Sequence, residues 1–156
     1  MKENAANQAI IAKIENEFAS RGKQLTKRRR QVLKILIDSP VALSAYEVVE
    51  RCNQSSDLTV APMSVYRVLQ FLQDEEFVHK LETSHKYVSC AHLENGFSHK
   101  KMQFLICDGC EGVVEAELSS EIMAMMQSTA DEAGFVRINL QLELTGLCAQ
   151  CESKSL

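Results

Sequence analysis

Four of the six cysteines in this chain are arranged in two closely spaced pairs. The first pair is Cys107-Asp-Gly-Cys110 and the second is Cys148-Ala-Gln-Cys151. Each pair offers two thiolates to one ion, and two pairs together complete the tetrahedral four-thiolate site that Zn²⁺ prefers. A single CxxC pair is also typical of a redox site. The two pairs in one short segment favour a structural zinc site.

Further zinc ligand types are scattered through the middle of the chain. Imidazole, thiolate and carboxylate groups all suit zinc, but spacing alone does not group these residues into a site. An isolated histidine is usually a surface residue. The eligible residues are His79, Cys90, His99, Glu115, His85, His92 and Cys52.

Four helices are predicted in the N-terminal half of the chain, and they must position its candidate functional residues. Apolar spacing predicts the first over residues 8–20. Thr26 is a predicted N-cap for the second, which buries Val32, Leu33, Leu36 and Ile37. Ser44 and Glu47 have the spacing of a capping box for a third helix that ends near Cys52. Pro62 is suited to the first turn of the fourth helix.

The fourth helix has two distinct faces. Val65, Val68, Leu69 and Leu72 form an apolar stripe, whereas Tyr66 and Arg67 lie on the opposite side. A Tyr-Arg pair near a helix N-terminus is well placed to enter a DNA major groove. A solvated surface face is the alternative interpretation.

Two short strand-like runs follow, at residues 77–82 and 86–90. Helices followed by a two-stranded hairpin are typical of a winged helix-turn-helix, in which the hairpin is the wing. The basic run from Lys27 to Arg30 on the second helix can then lie against the phosphates of bound DNA.

The sequence pattern of the C-terminal half predicts a second, smaller domain. Residues 102–107 and 112–117 indicate a hairpin whose turn carries the first CxxC pair. A helix capped by Ser119 or Ser120 is expected over 119–134, with Ile122, Met125, Met126 and Ala133 facing inward. Residues 135–144 alternate between apolar and polar and predict a third strand.

The predicted fold class is α+β, a winged helix-turn-helix followed by a small α/β domain with a three-stranded antiparallel sheet. We expect a DNA-binding domain over residues 1–90, a hinge over 91–101 and a zinc-containing dimerisation domain over 102–156. The charge distribution agrees with this division. Residues 1–37 carry a balance of +6, whereas the whole chain carries −4. A basic N-terminal part suggests contact with a polyanion.

Composition narrows the functional class further. No apolar run approaches the ~18 residues of a membrane helix, and the polar N-terminus lacks the apolar run of a signal peptide. We therefore expect an intracellular protein with reduced thiols. A zinc hydrolase is disfavoured because catalytic zinc keeps an open coordination position and a neighbouring general base.

Taken together, the motifs resemble the ferric uptake regulator family, and within it the zinc uptake regulator branch. The resemblance extends from about Leu25 to Cys151. The stretches that carry it are Leu25-Thr26, Arg28 to Leu33, Leu43-Ser-Ala-Tyr46-Glu, Ser64-Val-Tyr-Arg67-Val-Leu, Phe77-Val-His-Lys80, Tyr87-Val-Ser-Cys90, Phe104-Leu-Ile-Cys-Asp-Gly-Cys110 and Gly146-Leu-Cys-Ala-Gln-Cys151.

The resemblance implies a bacterial, cytoplasmic, homodimeric repressor that binds palindromic operator DNA of zinc-uptake genes and has no small-molecule substrate. Two zinc ions per subunit are implied. One is structural, and the other is regulatory at the hinge. The implied regulatory ligands are His79, Cys90, His99 and Glu115, with His92 as the alternative to His99. The implied DNA contacts are Ser64, Tyr66, Arg67, Lys27, Arg28 and Arg30.

Cys90 favours the zinc branch, because iron and manganese sites favour nitrogen and oxygen ligands. A regulator of the same family that senses iron, manganese or peroxide is the alternative function. A redox sensor that releases zinc when its thiols oxidise is another.

Overall fold

The structure is a computed structural model that describes residues 2–55, 59–93, 101–136 and 138–154. The chain divides into two compact units, Met1–Phe97 and Ser98–Leu156. The described part contains no helix that combines the length and the apolar character needed to cross a membrane.

The described residues of the first unit form four helices and three short strands. In chain order they are α1 (Lys2–Ser20), α2 (Lys27–Ile37), β1 (Leu43–Ser44), α3 (Ala45–Gln54), α4 (Pro62–Asp74), β2 (Val78–Leu81) and β3 (Lys86–Ser89). The four predicted helices are confirmed. α1 begins before residue 8 and α3 extends to Gln54, because helical structure continues into the polar residues at their ends.

Local capping chemistry starts these helices where the sequence predicts. The Thr26 hydroxyl accepts a hydrogen bond from the Arg29 backbone N–H at 3.3 Å. At α3 the Ser44 hydroxyl accepts from the Glu47 N–H, while the Glu47 carboxylate accepts from the Ser44 N–H at 2.7 Å. This reciprocal pair satisfies two N–H groups that the helix itself leaves unpaired. Pro62 lies in the first turn of α4.

The core of the first unit lies between the helices and the sheet. The predicted apolar stripe of α4 is buried there, as are Val32, Leu33 and Leu36 of α2, and Cys52 of α3 is fully buried. Ile37 is only partly buried. The wing is larger than predicted, because β1 pairs with β3 and gives a three-stranded antiparallel sheet of order β1-β3-β2. A two-residue strand is too short to leave a period in the sequence.

Where the second unit is described, its elements are β4 (Met102–Cys107), β5 (Val113–Glu117), α5 (Ser120–Glu132), β6 (Leu142–Gly146) and α6 (Ala149–Lys154). Its sheet has the order β5-β4-β6. β4 and β5 pair antiparallel, as a hairpin requires, but β6 runs parallel to β4, with Cys107 opposite Gly146. The prediction of an antiparallel third strand is therefore wrong in direction. Each CxxC pair lies at the C-terminal end of a strand, so parallel strands bring the two pairs together.

Two further details of the second unit differ from the predictions. Ser119 caps α5 as expected, but no residue of α5 is buried, and Ile122 and Met125 are 39% and 66% exposed. The strand predicted over 135–144 forms only from Leu142 onward, and Val136 is 89% exposed. The described residues of this chain therefore leave several large apolar side chains of the unit exposed to solvent. The α+β fold class itself is confirmed.

Candidate metal centre and DNA-binding face

The four predicted cysteines meet in the second unit. We call Cys107, Cys110, Cys148 and Cys151 the four-cysteine cluster, since their sulfur atoms all lie within 4.8 Å of one another. The Cys110 and Cys148 sulfurs are 3.9 Å apart. A tetrahedral zinc site with Zn–S bonds of about 2.3 Å has sulfur–sulfur edges of about 3.8 Å. The donor set and its spacing therefore fit a tetrahedral zinc ion.

Backbone hydrogen bonds hold the two halves of the cluster together. The Cys148 N–H donates to the Cys107 sulfur at 3.2 Å. The Asp108 N–H donates to the Gly146 carbonyl at 2.8 Å, and the Cys107 N–H donates to the Gly112 carbonyl at 2.9 Å. The ends of β4 and β6 thus fix both CxxC pairs in place by contacts that need no metal.

The cluster is electrostatically suited to a cation. The hydrogen bond from the Cys148 N–H, followed by that from the Cys110 N–H, lowers the pKa of Cys107 to about 6. The pKa of Cys151 is raised to about 12, chiefly by its hydrogen bond with the Cys148 thiol, because its neighbours favour the protonated form. One thiolate forms readily here, whereas four mutually repelling thiolates require a positive ion between them.

Gly109 was not among the predicted site residues, but it lies directly against Cys151 of the cluster. A Cβ atom at this position would lie 2.9 Å from both Cβ and Sγ of Cys151. The first CxxC turn therefore has room only for glycine where it faces α6. The sequence did offer one indication of this contact, the glycine inside the Cys107–Cys110 pair, because tight metal-binding turns bring the backbone close to the ligands.

The proposed regulatory ligands are divided between the two units. His79 lies on β2 and Cys90 directly follows β3, where the Cys90 N–H donates to the Phe77 carbonyl at 3.0 Å. Within the first unit, a His79 ring nitrogen and the Cys90 sulfur lie within 4.8 Å of each other. Glu115 is half-buried on β5 of the second unit. His99 falls outside the described residues, whereas His92 is described and half-buried.

The predicted DNA-binding residues lie on exposed or half-exposed surface of the first unit. Ser64, Tyr66 and Arg67 are exposed on α4, opposite its buried stripe. On α2, Lys27 is exposed, and Arg30 forms an ion pair with Glu15 of α1 at 2.9 Å. The half-buried Arg28 donates to the Gln31 side chain at 2.9 Å. Together, α2 and α4 expose cationic side chains and the aromatic ring of Tyr66.

Comparison with known proteins identifies the family. The model of the "Ferric uptake regulator family" matches residues 20–145. The chain belongs to this family. Membership of a regulator family confirms the prediction that the chain is not an enzyme.

Within the ferric uptake regulator family, the zinc uptake regulators are similar over nearly the whole chain. The zinc uptake regulation protein of Escherichia coli K12 is 34% identical over 96% of this chain and 85% of its own length. A solved zinc uptake regulator complexed with zinc and DNA is 31% identical over 96% of this chain and 98% of that chain, with a TM-score of 0.86. The crystal structure of holo XcZur is 34% identical over 94% of this chain and 99% of that chain, with a TM-score of 0.80. These similarities confirm the predicted resemblance to the zinc branch.

Proposed function

We propose that this protein is a zinc-responsive transcriptional repressor that binds operator DNA as a homodimer in the bacterial cytoplasm. The exposed Tyr66-Arg67 face of α4 carries the proposal, since it presents hydrogen-bonding and cationic groups on a helix whose other side is anchored in the core. The similarity to a zinc uptake regulator complexed with zinc and DNA supports the same assignment.

In this proposal α4 reads the base edges and α2 holds the phosphate backbone. Arg67 has the bidentate geometry that suits a guanine, while Tyr66 contacts a thymine methyl or a phosphate and Ser64 hydrogen-bonds at the helix start. Lys27, Arg28 and Arg30 contact phosphates, which position the protein without reading the sequence. The two subunits of a symmetric dimer then present two copies of α4 to a palindromic operator.

The exposed apolar side chains of the second unit support the proposed homodimer. Large apolar side chains are exposed on α5, on the strands and in the segment between them: Val114, Ile122, Met125, Phe135, Val136 and Leu144. Apolar surface of this extent is normally covered by a partner. We propose residues 102–156 as the dimerisation domain, residues 1–90 as the DNA-binding domain and residues 91–101 as the hinge between them.

Two zinc sites per subunit complete the proposal. The four-cysteine cluster would hold the structural ion, whose binding free energy is also folding free energy for a small domain. His79, Cys90, Glu115 and either His99 or His92 would hold the regulatory ion. The closeness of His79 and Cys90 supports this second assignment. Zinc would bind more tightly to the DNA-binding arrangement of the protein than to other arrangements. Bound zinc would therefore shift the population toward the DNA-binding arrangement.

The decisive experiment is DNA binding across a series of free-zinc concentrations, with iron and manganese run in parallel. The DNA is a duplex selected from a random pool by the zinc-loaded protein. Zinc alone should promote tight, sequence-dependent binding. Equal or better promotion by iron or manganese would refute the zinc assignment in favour of another metal sensor of the family.

Matched variants test which helix reads the sequence. Arg67→Ala should cost about 1–3 kcal/mol on the selected duplex and relax preference at one base position. Arg28→Ala should weaken binding to all DNA about equally and reduce the salt slope by about one unit. An intact sequence preference in Arg67→Ala would show that α4 is not the reader.

A further inference from the structure

A continuous stack of aromatic rings and guanidinium groups joins three helices of the first unit to Phe77, the residue before β2. The Phe18 ring of α1 stacks on Phe71 of α4 with centroids 5.6 Å apart, and on Phe77 beside β2 with centroids 4.5 Å apart. Arginines cover both ends. Arg29 of α2 lies over Phe71 at 3.4 Å from the ring centroid, and Arg21 lies over Phe77 at 5.7 Å.

Arg29 is fixed at three points in this arrangement. Its backbone N–H donates to the Thr26 cap at 3.3 Å, and its guanidinium donates to the Gln24 carbonyl at 2.8 Å. The central carbon of the same guanidinium, Cζ, lies over the Phe71 ring. Planar, weakly hydrated arginine is the cation that suits such stacking. The first turn of α2 is therefore tied directly to α4.

The contact between Arg29 and Phe71 lies close to the exposed face of α4 that is proposed to read DNA. Phe71 follows Arg67 by four residues, which is about one helical turn or 6 Å along the axis. A small rotation of α4 about this contact would move the Arg67 guanidinium across a base edge, and bidentate hydrogen bonds do not tolerate such a displacement.

We propose that Arg29 is a positioning residue for DNA recognition, which locks α4 in its reading orientation by stacking on Phe71. This inference rests on the proposed function, because it assumes that α4 reads DNA. Arg29 thereby differs from the other cations of its run. Lys27 and Arg30 are exposed and the half-buried Arg28 donates to Gln31, whereas the half-buried Arg29 lies over the Phe71 ring and donates to a backbone carbonyl.

The test measures two quantities for each zinc-loaded variant: the affinity ratio between the selected duplex and a shuffled duplex, and the salt dependence of binding. Arg29→Met keeps an apolar stem of similar length but removes the guanidinium. Phe71→Leu removes the ring and keeps an apolar side chain. Arg30→Met is the matched control, since it removes a neighbouring cation that does not stack. Thermal melts set a working temperature at which every variant is folded.

We expect Arg29→Met to lower the affinity ratio about tenfold, within the range of one base contact, while its salt slope stays parental. Phe71→Leu should do the same, and the double variant should lose little more. Arg30→Met should instead lower the salt slope by about one unit and weaken both duplexes alike. Arg29→Lys keeps the charge without the planar group and should lose part of the ratio.

Each of the following results would overturn the inference. A salt slope reduced by about one unit in Arg29→Met would make Arg29 a phosphate contact. A lowered melting temperature with a parental affinity ratio in Arg29→Met would show that Arg29 contributes to stability only. A full parental affinity ratio in Arg29→Lys would show that stacking of the planar group is not needed. A parent that distinguishes no duplex would overturn the proposed function together with this inference, whereas a discriminating parent with indifferent variants would overturn this inference alone.

Discussion

Gly109→Ala tests whether the four-cysteine cluster depends on close packing as well as on its ligands. The added methyl group would meet Cβ and Sγ of Cys151 at 2.9 Å and a Leu147 methyl at 3.3 Å. Because one of these atoms is the Cys151 Cβ, turning the side chain does not relieve the overlap. The backbone of α6 or of the first CxxC turn must move instead.

The size of the effect follows from these distances. Carbon atoms in contact lie about 3.5–4.0 Å apart, so Cys151 must retreat by about 0.6–1 Å. Zinc–ligand distances tolerate only about 0.2 Å. Overpacking of this kind costs about 1–3 kcal/mol, which would raise the zinc dissociation constant about five- to 150-fold.

The assay is competition for zinc between the protein and a chromophoric chelator, with circular dichroism as the check on folding. Gly146→Ala is the matched control. It lies in the same unit beside the same cluster, but a Cβ there meets nothing within 4 Å and its carbonyl still accepts from Asp108. Parental zinc affinity in Gly109→Ala would refute the packing argument, and an equal loss in Gly146→Ala would show that the effect is not specific to the contact with Cys151.

Three further predictions concern other sites. Cys148→Ser should lose one tightly bound zinc per subunit and the dimer with it, measured by metal analysis and light scattering, while the buried Cys52→Ser should keep its zinc. Cys90→Ser should keep the cluster zinc and the dimer but lose zinc-dependent DNA binding. An unchanged zinc response would remove Cys90 from the regulatory site. Hydrogen bonds from Ser44 hold the pKa of Glu47 in the folded protein below its usual 4.5. The ionised Glu47 therefore stabilises the fold above pH 4.5, and this contribution is lost as the pH falls through the lowered pKa of the folded state. Urea titrations should therefore show a weaker dependence of unfolding free energy on acid pH in Glu47→Gln.

Features governed by neighbouring residues were predictable from the sequence. Thr26, Ser44 and Ser119 start their helices as expected, because a cap acts on an N–H group three residues away or less. Pro62 starts α4 because its fixed φ suits the first helical turn. The four-cysteine cluster was equally accessible, since the short CxxC spacing limits how each pair of thiolates can point.

Features governed by distant partners were not predictable in the same way. The short β1 strand depends on pairing with Tyr87 and Lys86, more than forty residues further along the chain. The direction of β6 is fixed by its pairing with β4. The apolar stripe of α5 implied burial, but the described residues of the chain provide no cover for Met125. Periodicity shows that a face is apolar but does not show what covers it.

The four-cysteine cluster also closes a ring in the chain. Cys110 and Cys148 are 38 positions apart, and β5, α5 and β6 all lie between them. With a metal bound, such a ring removes loop entropy from the unfolded chain worth about 4 kcal/mol, if it acts as a covalent cross-link of that length does. The segment between α5 and β6 contributes no ligand, and doubling a loop costs only about 0.6 kcal/mol more. Insertions in that segment should therefore add little loop entropy to the metal-bound unit, whereas insertions in either CxxC turn change the spacing of the zinc ligands themselves.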